Sequence, residues 1–167
     1  MRVLKLRVLS QMENKMTLGH KGDRNLEIAR FIDSDDFREL SGFPKQHLCS
    51  TIINRLYYGI YLIGKQKLLE KDRSIDAKKN LSHGTEYSIK NINNNEEAKK
   101  SSFLWVRLKG FYSDRKGLQL CLLAVKLHEL RNIYDYNCDS EQETALKDLA
   151  GCKQQAQLLS KRLKELQ

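Results

Sequence analysis

Proline is almost absent from this chain of 167 residues, occurring once, at Pro44. Few positions therefore force a helix to stop, because proline removes a backbone donor and clashes with the preceding turn. Long apolar runs are also missing, since no stretch approaches the roughly 18 apolar residues of a membrane span. Residues 1–9, MRVLKLRVL, lack the continuous apolar core of a signal peptide. We expect no membrane segment and no membrane partner.

Cysteine is scarce and scattered along the chain. The sequence holds four cysteines without a Cys-x-x-Cys pair, and its four histidines show no ligand spacing with them. This pattern argues against a disulfide framework and against a zinc site. We therefore expect no metal, no cofactor and a reducing compartment, which indicates a cytoplasmic location.

Positive charge is abundant. The chain has 30 Lys and Arg against 21 Asp and Glu, a formal net charge of +9. Such a charge favours polyanionic partners such as nucleic acid, although many basic proteins have none.

Apolar residues recur at helical spacing, which predicts an all-α protein, an antiparallel bundle of four to five helices. Residues 1–23 are expected to form a flexible or loosely structured leader, and residues 24–167 a single helical domain. A break is expected at Ser41-Gly42-Phe43-Pro44 and a loop from Asp72 to Asn80. The predicted helices span about 24–40, 45–70, 84–92, 101–136 with a pause near 113–114, and 141–166.

The expected core positions lie on three of these helices. The segment 45–70 has an apolar stripe wide enough for a central helix. The two last helices carry regular seams, which could form a coiled-coil dimer but are better explained by packing onto the chain's own bundle. These positions are Ile52, Ile53, Leu56, Tyr57, Ile60, Ile63 and Gly64; then Leu120, Leu123, Leu127, Leu130 and Tyr134; then Ala145, Leu149, Cys152, Ala156, Leu159, Leu163 and Leu166.

Three polar segments are candidates for a functional site. The first, on the central helix, places Arg55 and Tyr58 beside the apolar stripe. The second is Ser82-His83-Gly84, where Ser82 could cap the short helix that follows. The third is residues 130–136, LRNIYDY, in which Arg131 and Asp135 share a helix face as an i,i+4 pair. His128 lies one turn earlier on that face, and an ordinary ion pair also explains this segment.

In this order and at these separations, the three segments resemble the HEPN family, specifically its short stand-alone prokaryotic members with an Arg-x-x-x-Asp-Tyr motif. The resemblance covers about residues 50–165. It implies a helical bundle that commonly forms homodimers. It also implies a metal-independent RNA-cleaving site shared by two protomers, in a toxin–antitoxin or defence setting. A cognate antitoxin or a nucleotidyltransferase is then a candidate partner.

The resemblance assigns residues but also reveals a departure. Arg131 matches the motif arginine, and Asn132 matches the polar residue that often follows it. Active HEPN ribonucleases carry a histidine about four to six residues after that arginine, where this chain has Asp135 and Tyr136. His83 is then the best-suited titrating group, because imidazole titrates near neutrality.

Metal-independent RNA cleavage needs a base for the 2′-hydroxyl, an acid for the leaving 5′-oxygen and stabilisation of the phosphorane charge. Arg131 suits the last role, whereas Asp135 beside an arginine should be a weak base. We expect Tyr57 in the core, and Tyr58 and Tyr136 hydrogen-bonded around a buried polar cluster. The candidate catalytic residues are Arg131, Asp135, Tyr136 and His83, and the candidate supporting or RNA-binding residues are Arg55, Tyr58, Asn132 and His128.

Two functions remain open. The first is a metal-independent endoribonuclease or RNA-engaging module, which the basic charge and the ionisable cluster favour. The second is a catalytically silent HEPN module that binds a partner protein, with Arg55, Arg131 and Asp135 as a structural cluster. The missing motif histidine favours the second.

Overall fold

The computed structural model describes residues 17–76, 81–92, 94–112, 114–136 and 142–166. These residues form eight α-helices and no β-strand, which confirms the all-α prediction. Four long helices of 15, 27, 22 and 24 residues make up the bundle, and four short helices connect them. The helices are α1 (Leu18–Ile32), α2 (Asp35–Ser41), α3 (Lys45–Lys71), α4 (Glu86–Asn91), α5 (Asn95–Lys99), α6 (Leu104–Phe111), α7 (Arg115–Tyr136) and α8 (Gln142–Glu165).

Helix α3 is the central element, as its wide apolar stripe predicts. It packs against α1, α6, α7 and α8, and the stripe residues from Ile52 to Gly64 are buried. The α7 seam buries Leu120 and Leu127, and the α8 seam is buried from Leu149 to Leu163. Both seams thus face the chain's own core. Within the described residues, no helix is both long enough and apolar enough to cross a membrane.

The start of the bundle differs from the sequence prediction. Helix α1 begins at Leu18, because the Thr17 hydroxyl accepts a hydrogen bond from the backbone N–H of His20 at 3.2 Å. A second cap, Ser34, accepts from Phe37 N and starts α2. The single helix predicted over 24–40 is therefore wrong, and residues 18–23 of the predicted leader belong to α1. Residues 1–16 of the predicted leader lie outside the described residues.

The earlier start was missed because residues 10–23 are polar and lack apolar periodicity, yet a close helix contact holds α1 in place. A Cβ on Gly22 would lie 2.7 Å from the Gly59 carbonyl oxygen, and one on Gly59 would lie 2.7 Å from Leu26 Cδ2. The two glycines let α1 and α3 approach closely, because neither carries a Cβ at the contact. The predicted break at residues 41–44 is confirmed: Gly42 ends α2 with φ +69° and Pro44 precedes α3.

The connections were predicted less well. The short helix predicted near 84–92 is α4, but Thr85 caps it by accepting from Ser88 N, so the Ser82 cap was wrong. Ser82 instead accepts a backbone hydrogen bond from Leu104 N at 2.7 Å. Helix α5 was not predicted, because the run of asparagines before it reads as a turn; Asn94 is its N-cap.

Candidate functional site

A carboxylate joins α3 to α7. Asp135 of α7 accepts hydrogen bonds from Ser50 Oγ at 3.2 Å and from Asn54 Nδ2 at 2.9 Å, both on α3. It also pairs with Arg131 Nε at 2.7 Å, and the two charged side chains are only 14% and 15% exposed. The i,i+4 ion pair predicted from sequence is therefore present, and its carboxylate also links two helices of the bundle.

The Arg131 guanidinium has two further neighbours. Its Nη1 donates to Asn132 Oδ1 at 2.9 Å. Its Cζ lies 5.6 Å from the centroid of the Tyr58 ring, a cation–π distance, and Tyr58 is 36% exposed. Tyr58 thus contacts the arginine through its ring.

Two imidazoles stack beside this arginine. His83 comes from the turn before α4 and His128 from α7, and their ring centroids are 4.3 Å apart at an angle of 25°. The Tyr57 hydroxyl hydrogen-bonds to Nδ1 of His83, and Asn132 Nδ2 lies 3.4 Å from Nε2 of His128. We call the connected set the polar cluster; its members are Ser50, Asn54, Tyr57, Tyr58, His83, His128, Arg131, Asn132 and Asp135.

The turn that carries His83 is fixed on the bundle. The Tyr61 hydroxyl donates to the Leu81 carbonyl at 2.8 Å and accepts from Leu81 N at 3.1 Å. Gly84 adopts φ +85°, and a Cβ there would lie 3.2 Å from Phe103 Cβ. Glycine is favoured at this position because its positive φ is strained for other residues. These contacts hold the His83 ring 4.9 Å from the Tyr61 ring.

Burial keeps the imidazoles uncharged. It lowers the pKa of His83, and the nearby Arg131 lowers that pKa further. Burial, with smaller effects of His83 and Arg131, lowers the pKa of His128 to about 4. Burial also raises the pKa of the Tyr57 hydroxyl, which keeps its proton. At pH 7 both imidazoles are therefore neutral and each has one nitrogen that can accept a proton.

The structure brings together most of the residues selected from sequence. Arg55 is different, since it faces α1, where its Nη1 donates to Asn25 Oδ1 at 3.3 Å. The Tyr136 side chain lies outside the described part of the chain. The residues that meet in the polar cluster are Tyr58, His83, His128, Arg131, Asn132 and Asp135.

Sequence reasoning missed three members of the cluster. Ser50 and Asn54 are polar residues four apart on a largely apolar helix, and that spacing was a usable signal. Tyr57 is buried, as predicted, but its hydroxyl also belongs to the network. Among the described residues, no group of His, Cys, Asp and Glu side chains is arranged to hold a metal ion.

None of the protein-family models, curated proteins or solved structures compared with this chain matches it. The resemblance to HEPN proteins therefore rests on the three sequence segments.

Proposed function

We propose that this chain is a HEPN-like protein that binds RNA at the polar cluster and cleaves it without a metal ion. The observation that carries the proposal is the stacking of His83 and His128 beside Arg131. His83 and His128 then take the role of the motif histidine, which active HEPN ribonucleases have and this chain lacks. The formal net charge of +9 attracts an RNA backbone to such a site.

The chemistry needs only groups of the cluster and the substrate. A neutral imidazole takes the proton of the ribose 2′-hydroxyl, and the 2′-oxygen attacks the phosphorus. The bond to the 5′-oxygen breaks, and that oxygen receives the proton back from the imidazolium. The products are a 2′,3′-cyclic phosphate and a 5′-hydroxyl. Arg131 stabilises the negative charge that develops on the phosphorane.

A second function is favoured by the contacts of Asp135. This carboxylate binds Arg131 and also accepts from two side chains of α3, which is what a structural link between helices requires. In this alternative the module is catalytically silent, and it binds a partner protein such as a cognate antitoxin or a nucleotidyltransferase.

RNA cleavage in EDTA separates the two functions. We expect the wild-type protein to cut single-stranded RNA, and Arg131→Ala to slow cutting by about 10²-fold or more because it removes the charge-stabilising group. Arg30→Ala is the matched control, since it removes the same charge from an exposed position on α1. Its cleavage rate should equal that of the wild type.

Thermal unfolding of the same variants completes the test. Intact RNA with wild-type protein contradicts the enzyme function. If the wild type cuts RNA and Arg131→Ala stays folded but cuts about 10²-fold more slowly or not at all, the enzyme function is supported. A large loss of melting temperature in Arg131→Ala, with no cleavage by the wild type, supports the structural alternative.

The HEPN resemblance also leads us to propose that two protomers share the site. We expect light scattering at micromolar concentration to give the mass of a homodimer. A monomeric mass at that concentration contradicts the shared site, whereas cleavage by the monomer leaves the RNA proposal intact.

A further inference from the structure

The donor and acceptor roles in the polar cluster can be assigned starting from Arg131. A guanidinium only donates, so the Asn132 atom that Nη1 contacts at 2.9 Å is the amide oxygen. The amide NH₂ of Asn132 then faces Nε2 of His128 at 3.4 Å. Because an NH₂ group also only donates, Nε2 of His128 is the acceptor. A neutral His128 ring therefore carries its proton on Nδ1.

A second chain of donors reaches His83 from the core. Tyr57 is fully buried, and a buried phenol proton needs an acceptor. Among the described residues, Nδ1 of His83 is the acceptor that its hydroxyl contacts. A neutral His83 ring then carries its proton on Nε2.

Trp105 supports the same assignment. This residue is fully buried, and no atom of the described residues forms a hydrogen bond of ordinary geometry with its indole N–H. Because an indole N–H can only donate, Trp105 cannot accept the phenol proton, which leaves that proton for His83.

We propose that these two donor chains hold the stacked imidazoles in opposite tautomers, His83 protonated on Nε2 and His128 protonated on Nδ1. Tyr57 is the positioning residue for His83, and Asn132 is the positioning residue for His128. The catalytic meaning of this inference rests on the proposed function. There the lone pair on Nε2 of His128 is the base, because the negative charge of a bound phosphate raises the pKa of this imidazole above its value in the free protein. Its 3.4 Å contact with Asn132 is long and easily released. The Nε2–H of His83 donates a hydrogen bond to the phosphate.

Long-range ¹H–¹⁵N NMR of the full chain with ¹⁵N-labelled histidine reads the tautomers directly at neutral pH. His83→Gln and His128→Gln assign the signals. We expect a protonated Nε2 for His83 and a protonated Nδ1 for His128 in the wild type. Both rings in the same tautomer, or a rapidly exchanging mixture at each, overturns the inference.

Two variants test the donor chains. Tyr57→Phe removes the donor to His83 and should convert that ring to a mixture of tautomers. Asn132→Asp replaces the donating amide with a carboxylate that only accepts, so the proton of His128 should move to Nε2. Tyr134→Phe is the control, because its hydroxyl bonds to Asp148 at 2.6 Å, and it should change neither ring.

Unchanged tautomers in Tyr57→Phe and Asn132→Asp overturn the inference. If Tyr57→Phe does not fold, Asn132→Asp decides alone. The NMR result is independent of RNA cleavage. Opposite tautomers in a protein that leaves RNA intact support this inference and contradict the proposed function. RNA cleavage by a protein with identical tautomers supports the proposed function and contradicts this inference.

Discussion

The environment of a single residue, His128, makes stability depend on pH. Its pKa in the folded protein is about 4, below the ordinary value of 6.5, so between these pH values the unfolded chain binds a proton that the folded chain does not. This contribution to stability is therefore complete above about pH 6.5 and is lost as the pH falls towards 4. The lowered pKa of His83 acts in the same direction.

We expect His128→Gln to weaken this acid sensitivity. The free energy of unfolding should fall between pH 7.5 and pH 5 by about 1–2 kcal/mol less in the variant than in the wild type. Urea titrations at the two pH values measure this difference. His47→Gln, at an exposed position of α3, is the control and should behave as the wild type. Equal pH dependence of His128→Gln and the wild type contradicts the account of the buried imidazole.

Residue-level prediction from sequence succeeded where one helix was involved. Arg131 and Asp135 pair because they are four residues apart on α7, and the spacing alone predicts that. Arg55 and Tyr58 are three apart, yet Arg55 reaches α1 while Tyr58 lies under Arg131. Which side of α3 faces which helix depends on tertiary packing. The hydrogen bond from Tyr57 to His83 depends on the position of the turn of residues 82–84. The spacing of apolar residues in the sequence does not predict that position.

Among the elements, the contact between α3 and α6 depends on a glycine. A Cβ on Gly64 would lie 2.6 Å from two ring carbons of Trp105, which is fully buried. We expect Gly64→Ala to reduce the free energy of unfolding by about 1–3 kcal/mol, as overpacking does. Urea unfolding gives the value.

Gly151→Ala on α8 is the matched control. A Cβ there would meet no atom within 4 Å, so the helix propensity of alanine should raise stability by up to about 1 kcal/mol. If Gly64→Ala and Gly151→Ala change the free energy of unfolding in the same direction, the packing described for α3 and α6 is contradicted.

Helix α6 is joined to the end of α4 by a buried lysine. Lys109 Nζ donates to the Ile89 and Ile92 carbonyl oxygens, each at 2.6 Å. Lys109→Met keeps the apolar stem and leaves both carbonyls without this donor, so we expect a loss of about 2–4 kcal/mol. Lys161→Met, at an exposed position of α8, should stay within about 0.5 kcal/mol of the wild type. Denaturant unfolding of both variants tests this, and equal stabilities contradict the role of Lys109.

Elements with long apolar repeats were predictable, and those defined by caps were not. Helix α3 lies within a residue of its predicted bounds because its stripe is continuous. The start of α1 depends on the Thr17 cap and on the close contact with α3 that Gly22 allows, and α5 depends on the Asn94 cap. In each of these cases a single polar side chain or a close helix contact outweighed the composition of the segment.

For the whole molecule, the helical bundle positions the polar cluster between α3 and α7. The described residues form one core around α3, and they bury the free thiols of Cys49, Cys121 and Cys152. The apolar repeats predicted this fold class. They could not predict that the turn of residues 82–84 would bring His83 onto His128, because that contact joins distant parts of the chain.

The most direct test of the central claim is the end group of RNA incubated with the protein in EDTA. We predict fragments that end in 2′,3′-cyclic phosphate and 5′-hydroxyl. We also predict cleavage at least about 10²-fold slower for His128→Gln, because that variant lacks the base. Intact RNA with the wild type, or equal rates for the wild type and His128→Gln, contradicts the account.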